Sequence, residues 1–328
     1  LNGANYVSWN FKAGGAAVAN TDGTINSQVS VNNTLGFSIV KHTGTGSTGT
    51  VGTGLSSTPE LIIRKDLDAT TDWWVYAPVS PYFGYLNNTD AFQAANNAAY
   101  SYNQTVPTST IFNVGNTYSG NVNSNNYIAY CFTSKSGFSK VGSYTGNGSA
   151  SGPMVQTGFQ PAFVMIKASS AAGSWNIVDN KRDTTNPATK RLFPNLANAE
   201  GTGINVLDFY ANGFQIKNND AGFNSNGVTY IYLAIAADGS TATPSLANSF
   251  ATTLYNGSSS TPLSVNGVGF KADFSWLKVR NNSWSHGLFS SLMPIGVNNG
   301  VKNVYSNTTD AATDLWGSLT WNNNGWTL

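Results

Sequence analysis

The feature that most constrains this chain is that it repeats itself. Phe37 opens FSIVKHTGTGSTGTVGTGL, Phe138 opens FSKVGSYTGNGSASGPMVQTGF and Phe250 opens FATTLYNGSSSTPLSVNGVGF, at spacings of 101 and 112 residues. Downstream, PELIIRK (Pro59 to Lys65) matches PAFVMIK (Pro161 to Lys167), with ADFSWLK (Ala272 to Lys278) as the third copy. A tryptophan follows each within eight residues: Trp73, Trp175 and Trp284. The first two copies close with NYIAYCF (Asn126 to Phe132) and TYIYLAI (Thr229 to Ile235). Anchors that recur in the same order argue against chance and define a tandem array.

The third copy ends at Leu328 without a closing segment, whereas NYVSWNF opens the chain without a body. Residues 1–36 therefore read as the closing strand of a preceding or permuted repeat plus a hairpin linker. Residues 37–137 and 138–249 are the first two repeats, and 250–328 a divergent third that lacks its closing strand. Three resolutions are open. The chain is a piece of a longer protein; or Asn5, Tyr6, Val7, Ser8, Trp9, Asn10 and Phe11 form a strand exchanged into the next subunit; or that strand folds back into its own third repeat. The expectation favours them in that order, because three rigid sandwiches in series would hold the chain ends far apart.

The apolar segments are five to eight residues long, rich in β-branched and aromatic residues, and bounded by Gly, Asn, Ser and Thr. That pattern predicts strands, and no stretch shows helical periodicity. In YIAYCF both alternating sets are apolar, so the strand is covered on both faces: by an opposing sheet, and by a loop, a neighbouring repeat or another subunit. The fold class expected is all-β, with tandem antiparallel β-sandwich repeats of jelly-roll or laminin-G-like type. The Gly-rich run Thr43 to Gly54 lacks the Lys-Ser or Lys-Thr pair and following helix of a phosphate loop, and reads as a hairpin turn.

Charged residues make up only 9% of the chain and the net charge is +1, which gives no footing for nucleic-acid binding. No apolar run approaches the roughly 20 residues of a membrane-spanning helix. Cys131 is the single cysteine, so no intramolecular disulfide forms.

Candidates for chemistry are few. His42 and His286 are the two histidines, Glu60 and Glu200 the two glutamates, and neither pair occupies matching positions in the repeats. Asp66, Asp68 and Asp72 have alternate-position spacing that Ca²⁺ could use, but lack the Gly and distal Glu of an EF-hand and read as a solvated loop. Cys131 reads as a small buried hydrophobe. Recurrence of Trp73, Trp175 and Trp284 argues for core positions, with a sugar-stacking platform as the alternative. Tyr82, Phe83 and Tyr85 have no equally aromatic counterpart in the second repeat and are the candidates for carbohydrate or receptor contact. No catalytic residue, cofactor or metal site is expected.

The run from NYVSWNF through VKHTGTGSTGTVGTGL, with PELIIRK, a Trp-containing strand and NYIAYCF, resembles the repeat of virion structural proteins of marine bacteriophages such as cyanophages. The resemblance spans essentially the whole chain and is faint in the third repeat, where the TGTGS motif has become YNGSSS. It implies a non-enzymatic fibre, appendage or capsid-decoration protein on a virion surface. Its expected partners are copies of itself, other virion proteins and host-surface glycans, with no nucleic acid and no membrane insertion. A secreted bacterial adhesin or surface-layer protein and a polysaccharide-degrading tail fibre are the alternative readings.

Overall fold

The computed structural model describes all residues except 1, 80–82, 94–104, 117–119, 237–248, 260–261, 297–298 and 315–318. Among the described residues the regular structure is antiparallel strands and turns, with no α-helix, and hence no helix long and apolar enough to cross a membrane.

The closing segments become the interior strands of three sheets: β1 (Asn5–Phe11), β10 (Asn126–Phe132) and β17 (Thr229–Ile235). β10 lies between β4 (Phe37–Thr43) and β6 (Leu61–Asp66), and β17 between β11 (Ser139–Thr145) and β13 (Phe163–Ala168). β1 lies between β18 (Phe250–Asn256) and β20 (Phe274–Val279). Each sheet continues through a shorter strand: β7 (Trp74–Tyr76), β14 (Asn176–Asp179) or β21 (Gly287–Ser290). A smaller second sheet covers each repeat. β5 (Gly49–Gly52) pairs with β9 (Ile111–Val114), β12 (Met154–Gln156) joins β16 (Gly213–Ile216), and β19 (Ser264–Asn266) joins β24 (Gly325–Thr327). Among the described residues, the first repeat alone has a hairpin of β2 (Val18–Asn20) and β3 (Ser27–Asn32) added to the outer edge of β4.

The alternation along the closing strands explains how the sheets assemble. Val7, Trp9 and Phe11, Ile128, Tyr130 and Phe132, and Ile231, Leu233 and Ile235 all enter one common core. Ring contacts cross between repeats: Tyr130 to Phe274 at 4.4 Å, Phe11 to Phe37 at 5.5 Å and Trp9 to Phe163 at 5.9 Å between centroids. A void of about 10 Å³ lies within this core, lined by aliphatic and aromatic side chains such as Ile63, Met165, Phe274 and Leu288. The opposite faces meet the second sheets. Ala129 and Cys131 pack on Val51, Phe112 and Val114, and Tyr230, Tyr232 and Ala234 on Val155, Phe214 and Ile216. The second cover of each closing strand is therefore the neighbouring repeats.

This arrangement corrects three expectations. The chain ends are not held far apart: within this chain the segment Asn5–Phe11 completes the third repeat, Phe11 pairing with both Phe250 and Phe274. Three sandwiches around a shared core, unlike three in series, bring the first strand beside the last body. Second, the strand register places Ser139, not Phe138, in the position of Phe37 and Phe250, since these three sit opposite Ile235, Phe132 and Phe11. Third, the Gly-rich run is no hairpin turn, because β4 and β5 belong to different sheets. It is a crossover clamped by Asn121, whose amide donates to Thr45 Oγ1 and Ser47 O at 2.9 and 2.6 Å. A Cβ on Gly44 would lie 2.0 Å from the Val122 carbonyl oxygen, and Gly46 adopts φ +73°, so both positions require glycine.

Candidate functional site: the seams between repeats

Where two repeats meet, an aromatic side chain reaches across. Trp73 Nε1 donates to Tyr305 O and Trp175 Nε1 to Tyr85 O, both at 2.8 Å. Each tryptophan is held by its own backbone N–H, which donates to the side chain of Asn87 or Asn195. In the third repeat the residue whose N–H donates to the matching Asn307 is His286, not a tryptophan. His286 stands eight residues after Lys278, as Trp73 and Trp175 stand eight after Lys65 and Lys167; Trp284 stands six after. Trp284 is accordingly 45% exposed, which corrects the expectation that it is a third core tryptophan. The missed signal was this constant spacing, hidden by the change of residue type.

The seams also share backbone bonds. Thr71 N donates to Thr309 O and Ala312 N to Leu67 O; Gly173 N donates to Thr89 O and Phe92 N to Ser169 O; Glu200 N donates to Arg280 O. The third seam adds ionic contacts. Glu200 accepts from Arg182 at 3.0 Å and from Arg280 at 2.9 and 3.0 Å. Arg182 also pairs with the buried Asp179 at 2.6 Å, and Asp179 accepts from Trp9 Nε1 at 3.1 Å. Despite its burial, Glu200 has its pKa lowered by the hydrogen bond from Arg280 and the charges of Arg182 and Arg280. This charge cluster holds the second repeat to the third where the other seams use tryptophan.

His286 is fully enclosed. Trp276 Nε1, which can only donate, bonds its Nδ1 at 2.9 Å, so the ring proton sits on Nε2 on the side of Phe193. Burial, reinforced by the charges of Lys278 and Arg182, drives its pKa well below the usual value. His42 stacks on Tyr127 at 5.0 Å, and burial with the nearby Arg64 charge lowers its pKa to about 3. Neither is placed to exchange protons with a substrate near neutral pH. Lys65, Lys167 and Lys278 form a matched buried set. Lys65 Nζ donates to Asp66 O and Ala69 O, Lys167 Nζ to Thr89 O of the neighbouring repeat, and Lys278 Nζ to Val279 O and Asn282 O. Burial lowers each to about 8.

The remaining candidates are dispersed. Asp66 caps its own turn through Asp68 N and Ala69 N, Asp68 accepts from Asn126, and Asp72 accepts from Asn87. The three carboxylates thus serve different partners, and the described residues contain no group of three or more His, Cys, Asp or Glu able to hold a metal. Cys131 is buried, and its thiol is pushed up to about 12 by that burial. Glu60 accepts from Ser134 N. Of the aromatic trio, Tyr82 lies outside the described residues. Phe83 is buried against Trp74 at 5.5 Å, and Tyr85 is half-buried with its carbonyl engaged by Trp175. Phe83 thus packs in the first repeat's own core, with Tyr85 against it, and only the Tyr85 carbonyl takes part in a seam.

Compared with known proteins, residues 1–238 and 245–328 match the family model described as a domain of unknown function, DUF7483. No curated protein and no solved structure matches the chain.

Proposed function

The chain belongs to the DUF7483 family, and we propose that it is a non-enzymatic structural or adhesive protein of a phage virion surface, as a fibre, appendage or capsid decoration. One observation carries the proposal: the groups that could do chemistry are placed to hold repeats together. His286, Glu200 and the three buried lysines all lie at or beside the seams, and His42 is enclosed in a sandwich core. A body closed around one core, with few charges and tight Ser-, Thr- and Asn-rich loops, suits a particle surface exposed to proteases. The motif resemblance over the repeats supplies the virion assignment. Association with other virion proteins, and contact with host-surface glycans, follow from that role. The test is mass spectrometry of gradient-purified particles, followed by gold labelling with antibodies against this chain. Stoichiometric presence and surface labelling are expected; absence from intact particles overturns the proposal.

A further inference from the structure

An asparagine followed by glycine is prone to lose its side-chain amide, because glycine carries no Cβ to keep its peptide nitrogen away from the Asn Cγ. The chain contains eight such pairs. In sequence they are equivalent, and the fold separates them by what each glycine N–H is doing. Four donate to backbone carbonyls: Gly3 N to Gly257 O at 3.1 Å, Gly148 N to Asn224 O and Gly227 N to Gly146 O at 2.9 Å, and Gly257 N to Ala4 O at 2.8 Å. Gly213 and Gly325 each sit between two paired strands, where a Cβ would lie 2.0 Å from a carbonyl oxygen. Gly300 is buried.

Asn266–Gly267 is the exception. Both residues are exposed, and the Gly267 N–H makes no hydrogen bond among the described residues. The cause is one extra residue at the end of β19. The ladder to β24 sets Asn266 opposite Gly325, so the next pair would be Gly267 with Asn324. Instead Val268 N donates to Asn324 O at 3.1 Å and Gly269 N to Asn324 Oδ1 at 2.8 Å, while Gly267 bulges out at φ +93°. In the second repeat Gln156 ends the corresponding strand, and the next N–H, that of Thr157, donates to Asn212 O at 3.0 Å. A Cβ on Gly267 would meet no atom within 4 Å, and the residue borders an open groove of about 290 Å³, so water reaches it. The Asn266 amide is held only by Asn322 Nδ2, which donates to its Oδ1 at 3.5 Å.

We infer that Asn266 is the chain's site of spontaneous deamidation, in which Gly267 N is the nucleophile. Gly267 N gives its proton to hydroxide and bonds to Asn266 Cγ. The Cγ–Nδ2 bond breaks, and Nδ2 takes a proton from water and leaves as ammonia. A second water opens the cyclic imide at one of its two carbonyls, giving aspartate or isoaspartate. No oxidant, reductant or enzyme is required. Either product brings the net charge from +1 to zero. Isoaspartate also inserts a methylene into the main chain directly after Val265, a residue of the common core. This chemistry belongs to the chain itself and is independent of where the protein acts.

The test holds the full folded chain in warm, mildly alkaline buffer, digests samples under acidic conditions and quantifies each Asn–Gly peptide by mass spectrometry. Isoaspartate is counted with an isoaspartyl methyltransferase. Asn266 is expected to convert at least about ten-fold faster than the other seven, each of which must first be released by local opening. In denaturant the eight rates should draw together, and Asn266→Gln should remove the leading acidic variant at unchanged melting temperature. Another pair converting first in the folded chain overturns the inference. So does an Asn266 no faster than the rest, or one whose lead is the same in denaturant.

Discussion

Individual polar groups in this protein stabilise it mainly by being answered in the interior. Asn10 is the densest case: its carbonyl oxygen accepts from Ser275 Oγ at 2.7 Å and Trp326 Nε1 at 3.2 Å, and its amide donates to Ser8 Oγ and Ala251 O. Asn10→Ala leaves two buried donors without this acceptor and is expected to cost about 2–3 kcal/mol in denaturant unfolding. Trp175→Phe removes the bond to Tyr85 O and is expected to cost about 1–2 kcal/mol, whereas Trp284→Ala should stay within about 0.5 kcal/mol. The lysine set makes stability depend on pH. Each folded-state pKa of about 8 lies below the ordinary 10.5, so the unfolded chain binds more protons between those values. Stability must then rise with pH above about 8, by at most about 1.4 kcal/mol per unit for each lysine. Cys131 opposes this from about pH 9 upward, because folding keeps its thiol protonated. Lys167→Met should reduce the slope between pH 8 and 9 by about a third; an unchanged slope would show that these lysines keep ordinary pKa values. His42 works at the other end: stability is expected to fall as pH drops from 6.5 towards 3, since only the unfolded imidazole takes up a proton freely.

Among the elements, β1 differs from β10 and β17 in where the chain reaches it and in the buried polar Ser8 and Asn10 on its second face. It is an interior strand whose Val7, Trp9 and Phe11 enter the common core and whose removal would expose the facing edges of β18 and β20. Deleting residues 1–11 is expected to abolish cooperative thermal unfolding of the monomer and to produce aggregates, read by circular dichroism and size-exclusion chromatography. A deleted chain that remains monomeric and melts like the parent would contradict the assigned pairing. The β2–β3 hairpin is the element with least sequence precedent in the other repeats. It sits in the longer connection between β1 and β4, while the link from β10 to β11 is just Thr133 to Phe138.

The whole molecule is three sandwiches whose inner faces make one core, so its stability is not a sum over independent domains. One cooperative transition is expected in calorimetry, and an isolated second repeat, residues 138–249, should not stay monomeric and folded because Phe163, Met165, Leu233 and Ile235 would lose their cover. Chain order, by contrast, should matter little. Gly3 N bonds to Gly257 O and Leu328 N to Leu263 O, which places both ends near one stretch of the third repeat. Joining them through a short Gly/Ser linker and opening the chain within 134–137 should preserve the fold and the melting transition.

The repeats, the strand class, the two-faced closing strands and the burial of Trp73 and Trp175 were all legible in the sequence, because each depends on local periodicity and on residues recurring at fixed spacing. His286 was not legible as a third seam residue, since a histidine and a tryptophan share a position only through a common backbone bond to Asn307 and Asn195. The destination of NYVSWNF shows the division most clearly. Its likeness to NYIAYCF marked it as a closing strand, yet a strand of that pattern fits its own third repeat or a neighbour's equally well. Only the packing of three sheets around one core, which sets the distance from Phe11 to Phe250 and Phe274, decided that it closes its own chain.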